Sequence, residues 1–164
     1  MKKLKGITRT LVCIGVFIAV AACESTDCPI NNIVYSTYGF YAATDEGESK
    51  IQVLDTLTAA GTDSILINRL VRGSEVELPV SYSAATDTLI FHFTDTTSRT
   101  RRDTIWIDKE NIPHYESPTC PASMFHHVTA VRWTRLLVDS VSIVNPNINY
   151  NVSENFKIYF RSGN

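Results

Sequence analysis

An all-strand fold, an antiparallel β-sandwich of about eight or nine strands, is what this sequence predicts, and three observations predict it. Apolar residues recur with a period of two. Val76, Leu78, Val80 and Tyr82 alternate with Glu75, Glu77, Pro79 and Ser81, and Leu89, Phe91 and Phe93 alternate with Thr88, His92 and Thr94. Phe156, Ile158 and Phe160 alternate in the same way with Lys157, Tyr159 and Arg161. Such alternation belongs to strands with one face inward and one wet. Turn-forming clusters separate the runs: Asp45-Glu46-Gly47, Ala60-Gly61-Thr62, Arg72-Gly73-Ser74 and Asn145-Pro146-Asn147. No window of a dozen residues carries a 3.6 period, so no helix longer than a single turn is expected. Many short strands at this spacing fit an immunoglobulin-like or related sandwich, with a partly closed barrel as the alternative.

In chain order, further strand-like runs are Ile33–Tyr41, Lys50–Leu57, Ser64–Val71, Thr104–Asp108, Phe125–Trp133 and Val138–Val144. Pro79 lies inside a run and lacks an N–H, which marks an edge strand or a bulge. The organisation expected is a signal segment at 1–22, a short tether at 23–27 and one domain at 28–164. That domain is long enough for a real core.

The first residues are of another kind. Lys2, Lys3, Lys5 and Arg9 precede an apolar run from Leu11 to Val20, about half the length a membrane-spanning helix needs. Val20-Ala21-Ala22-Cys23 then resembles the lipobox of a bacterial lipoprotein. That resemblance implies cleavage after Ala22 and lipid on Cys23. The alternatives are an uncleaved anchor or an ordinary signal cut elsewhere. Several buried acyl chains, at about 0.8 kcal/mol per methylene, would make release negligible. Glu24 is not the aspartate associated with retention in an inner membrane, so an outer-membrane address is expected, with the leaflet open.

Setting aside the four basic residues of the n-region leaves eleven Lys and Arg against seventeen Asp and Glu, a formal charge of −6. A negative domain argues against nucleic acid and against a polybasic membrane contact. Of four cysteines, Cys13 leaves with the signal and Cys23 takes lipid. Cys28 and Cys120 remain, in a compartment where disulfides persist, and are expected to pair. Two free thiols are the alternative, and a metal site is poorer because no His stands at ligand spacing. The tether from Glu24 to Asp27 spans only about 15 Å when extended. A bridge at Cys28 would hold the domain against the bilayer.

One longer series of motifs runs lipobox, Leu78-Pro79-Val80, Asp103-Thr104-Ile105-Trp106-Ile107, Pro118-Thr119-Cys120, Ile143-Val144-Asn145-Pro146-Asn147-Ile148 and Lys157-Ile158-Tyr159-Phe160. In this order it resembles a family of small, uncharacterised Bacteroidetes-type outer-membrane lipoproteins. The resemblance implies an envelope lipoprotein, working beside an outer-membrane protein partner, and brings no activity and no catalytic residue.

A tripeptide recurs in the chain: Asp, then Ser or Thr, then an apolar residue or Thr. Its hydroxyls are Thr56, Ser64, Thr88, Thr96, Thr104 and Ser140. It looks like the O-glycosylation acceptor of Bacteroidetes-type bacteria, although Asp in a turn ahead of a β-branched strand residue gives the same pattern. Thr96, in the polar loop 94–102, is the most accessible of the six. His126 and His127 are adjacent, so on a strand they face opposite ways and cannot share a metal ion without a bulge, even with His92 and His114 as partners. No metal and no cofactor are expected. No Gly-x-Ser-x-Gly elbow or other nucleophile signature is present. Arg99, Arg101 and Arg102 read as a solvated hairpin tip. Tyr35, Tyr38, Phe40, Tyr41, Trp106 and Trp133 supply either a core or a sugar-stacking platform. The function expected is therefore a non-enzymatic envelope lipoprotein, a structural or interaction module close to the outer membrane. A glycan-binding accessory is the alternative, and an envelope enzyme or inhibitor comes last.

Overall fold

Among the described residues, alternation in the sequence becomes eleven strands in two facing sheets. The computed structural model describes residues 28, 32–44, 47–50, 56–59, 65–68, 74–94 and 100–161. The strands are β1 (Tyr35–Thr44), β2 (Gly47–Lys50), β3 (Thr56–Ala59), β4 (Ile65–Asn68), β5 (Glu75–Pro79) and β6 (Thr86–Thr94). They continue as β7 (Thr100–His114), β8 (Ser123–Trp133), β9 (Val138–Ile143), β10 (Asn147–Ile148) and β11 (Glu154–Phe160). Among the described residues there is no helix. One sheet runs β2-β1-β11-β9, with β5 also paired to β1; the other runs β10-β8-β7-β6-β3-β4.

The strand count exceeds the expected eight or nine for two local reasons. The run Lys50–Leu57 contributes the end of β2 and the start of β3, which lie in different sheets. β10 is only two residues long and sits inside the Asn-Pro-Asn turn, too short for periodicity to reveal. β7 also extends well beyond Thr104–Asp108 in both directions. Its alternation is hidden because Asp103 and Lys109 occupy inward positions that apolar residues would normally take. A register shift between Asp108 and Lys109 marks a bulge against β8.

Ladder direction corrects the expectation of an antiparallel sandwich at one place. All other pairs are antiparallel, but β1 and β11 run parallel, with Phe40 opposite Ile158. Periodicity carries no information on strand direction, which is settled by which ends of the chain meet. Pro79 ends β5, which pairs with β1 alone and is therefore an edge strand, where its missing N–H costs no ladder bond.

The core lies between the inner faces. Tyr38, Phe40, Leu78, Phe156 and Ile158 come from the first sheet, and Leu89, Phe91, Ile105, Ile107 and Val128 from the second. Phe40 meets Phe91 edge-on at 6.5 Å across the interface. Tyr38 stacks on Phe156 at 4.8 Å within the first sheet. Each such side chain contributes about 1.5–3 kcal/mol through removal from water. Burial also raises the pKa of the Tyr38 phenol, whose oxygen accepts a hydrogen bond from Ser36 Oγ.

Gly39 has a steric reason on the opposite face of β1. A Cβ there would fall 2.5 Å from Glu154 Oε1 and 2.7 Å from the Tyr41 ring. Tyr41 donates its hydroxyl proton to the Glu154 carboxylate, which lies 2.7 to 2.8 Å away, directly over the glycine.

Candidate functional site

Strand directions bring five parts of the chain to one end of the sandwich. β5 ends opposite the start of β1, since Pro79 pairs with Tyr35. β11 starts there in parallel with β1, and β9 ends there with Ile143 opposite Phe156. The β7–β8 hairpin turns at the same end, where His114 pairs with Ser123. Residues 115–122 close that hairpin, and Cys28 is bridged to Cys120 within it, with Cα atoms 5.4 Å apart and a sequence separation of 92. This spacing falls in the range that a disulfide requires.

Side chains at this end interlock. His114 stacks on Phe125 at 4.3 Å, and Tyr150 packs edge-on against Phe125 at 5.0 Å. The hydroxyls of Ser123 and Tyr150 are hydrogen-bonded. Tyr82 donates to the carbonyl of Ala122, tying the β5–β6 connection to the hairpin loop. His114 Nε2 and Glu116 Oε1 lie 3.3 Å apart, both side chains exposed.

Beneath this end lies a polar network. The Lys109 side chain is fully enclosed, and its ammonium donates to the carbonyls of Ser81 and Ala84 and to Asn111 Oδ1. Asp87 Oδ1 stands 3.9 Å away. Burial lowers the Lys109 pKa, and the Asp87 charge opposes that shift. Asn111 gives its amide protons to the carbonyls of Ser83 and Ala84. His126, buried on the inner face of β8, meets Asn111 Oδ1 through Nδ1 at 2.8 Å. That oxygen can only accept, so Nδ1 carries a proton.

Burial first, and the nearby Lys109 charge second, push the His126 pKa down to about 4. The folded value is below the unfolded one, so unfolding takes up a proton between pH 6.5 and 4. The associated stability is complete above pH 6.5 and is lost as the pH falls toward 4, by roughly 2–3 kcal/mol. Urea midpoints measured from pH 7.5 to 4 are expected to show this fall. His126→Gln should flatten it, and a profile unchanged by that substitution would assign the acid lability elsewhere.

The tripeptide hydroxyls are dispersed. Cys23, Ser64 and Thr96 lie outside the described residues, and Thr56 is in β3, where it pairs with Asn68 and His92. Thr88 lies in β6 opposite Trp106, and Thr104 in β7 opposite Ile90. Ser140 lies on β9, an edge strand. Two of the accompanying aspartates hold the fold together. Asp87 accepts from the backbone and hydroxyl of Ser81. Asp103 is wholly buried and accepts four hydrogen bonds, from Thr134 Oγ1 at 2.6 Å and from the N–H groups of Leu136, Leu137 and Val138 at 2.7–2.9 Å.

The histidines also separate. His126 faces in and His127 faces out, where it meets Asn147 Oδ1 at 2.8 Å. Among the described residues, no three His, Cys, Asp or Glu side chains gather as a metal ion would require. Tyr38, Phe40 and Tyr41 are buried, leaving only Tyr35 of that aromatic run exposed, so no stacking platform forms there. The Trp106 ring faces the Arg132 guanidinium at 5.7 Å, and Arg132 is also paired with Asp108 at 3.2 Å. Sequence reasoning missed the Lys109–Asn111–His126 network. The signal it left was a lysine at a strand position whose parity points inward.

Fold and end geometry together define a disulfide-closed, all-β sandwich with an aromatic, hydrogen-bonded end. The chain belongs to a family of unknown function, DUF6452, whose model matches residues 53–160. No curated protein and no solved structure matches it.

Proposed function

We propose that this protein is a lipid-anchored, non-catalytic module of the cell envelope, a Bacteroidetes-type lipoprotein whose domain is held close to the outer membrane to engage a protein partner there. The observation that carries this reading is the position of Cys23. It closes a lipobox-like sequence five residues ahead of Cys28, and Cys28 is fastened to the folded domain through Cys120. Lipid at residue 23 therefore leaves the domain only about 15 Å of free chain. The negative charge of the mature chain and its lack of a nucleophile signature favour binding over catalysis.

Expression in the native type of host with labelled palmitate tests the anchor. The wild-type chain is expected in the outer-membrane fraction with label and with an intact mass lacking residues 1–22. Cys23→Ser should lose the label and become soluble. A soluble, unlabelled wild type with an unmodified N-terminus would overturn the proposal. Detergent-solubilised pulldown tests the partner, and reproducible recovery of the lipoprotein alone would remove the interaction half of the reading.

A further inference from the structure

We propose that the disulfide end of the sandwich is a membrane-docking surface, seated in the headgroup layer of the bilayer that holds the lipid anchor. This rests on the anchored reading above and goes further, because a tether alone leaves the domain free to tumble.

Composition gives the first observation. The described residues that form this end are 28, 32–35, 80–86, 115–122 and 144–153. They total 30 residues and contain one charged side chain, Glu116, although a fifth of the whole chain is charged. That carboxylate lies 3.3 Å from His114 Nε2. A surface that approaches lipid headgroups must not carry unpaired charge into a medium of falling dielectric. These segments meet that requirement, and asparagine, serine and threonine supply their polarity instead.

Exposure gives the second. Among the described residues, nine large hydrophobic side chains remain exposed; seven of them are in these segments and an eighth, Ile112, is on β7 two residues before His114. Tyr82, Tyr115, Tyr150 and Val152 are among the eight, with Tyr115 at 64% and Val152 at 71% exposure. The ninth, Leu136, lies in the β8–β9 turn at the opposite end. Scattered single hydrophobics on a surface need no explanation, but their concentration at one end does. Tyrosine is the side chain enriched at membrane–water interfaces, with an apolar ring and a polar tip.

Covalent reach gives the third. The lipidated residue is five residues from Cys28, and Cys28 is bridged into this end through Cys120. With about 15 Å of chain at most, the end that bears Cys120 cannot be more than that from the membrane surface. Neutral charge, concentrated tyrosines and the short tether coincide on one surface. A protein partner would explain the exposed rings without explaining why they surround the attachment point.

The test uses mature, lipidated protein reconstituted in phosphatidylethanolamine–phosphatidylglycerol vesicles whose acyl chains carry bromine as a fluorescence quencher. Tyr115→Trp and Val152→Trp add emission at the docking end, and Leu136→Trp adds it at the far end. Native Trp106 and Trp133 supply the same background in all three. The added emission at 115 and 152 is expected to be lost in brominated vesicles and retained at 136. With acyl mass present on residue 23, equal emission at all three positions would overturn the docking alone. So would cross-linking of position 115 to a protein in place of lipid. Absence of the acyl mass would overturn docking and anchor together.

Discussion

Asp103→Ala is expected to destabilise the domain by about 3–5 kcal/mol, because it removes the acceptor for four hydrogen bonds in a site that water does not reach. For a domain of this size that loss lowers Tm by on the order of 10–15 °C. The donors come from residues 134–138, where the chain leaves β8 in one sheet and enters β9 in the other. Thr134 Oγ1 also accepts from Thr104 N at 2.8 Å, so the carboxylate organises both sides of the crossover. Asp103→Asn separates charge and geometry from volume. It keeps the shape but points an N–H₂ group at the N–H donors of Leu137 and Val138. Most of the loss should persist in Asn, as read by thermal and urea midpoints. An Asn variant as stable as wild type would show that the site needs only to be filled.

Reducing the Cys28–Cys120 bridge, or replacing both cysteines with alanine, is expected to cost about 4–5 kcal/mol. Opening so long a loop restores chain entropy to the unfolded state. Urea unfolding with and without a strong thiol reductant measures it directly. The double-alanine variant should match the reduced wild type and be insensitive to reductant. A loss below about 1 kcal/mol would mean that the bridge adds little restraint beyond what the strands already impose. Because the bridge also fixes the 115–122 loop to the start of the domain, proteolysis within that loop should quicken on reduction.

Much of this fold was legible in the residues. Val76, Leu78 and Val80 take the inward positions that their alternation with Glu75 and Glu77 predicts. Pro79 lies on an edge strand, and Cys28 meets Cys120. What stayed hidden shares one cause: it depends on strand order. Asp103 looks in the sequence like the first residue of an acceptor tripeptide, and only its position on β7 against the β8–β9 connection turns it into a buried acceptor. Lys109 reads as one more surface charge until the bulge beside it and the loop 80–84 enclose its ammonium. The charge-poor segments 80–86, 115–122 and 144–153 hold a single charged residue, Glu116, but nothing local says that they meet.

The parallel pairing of β1 with β11 has a further consequence, for how the chain acquires its structure. These two strands lie side by side in the middle of the first sheet, yet more than a hundred residues separate them in sequence. Contacts so distant along the chain form late and slowly. A polypeptide threaded across a membrane N-terminus first would thus emerge with its opening strand unmated until the final segment followed, and removal of β11 should abolish assembly instead of trimming it.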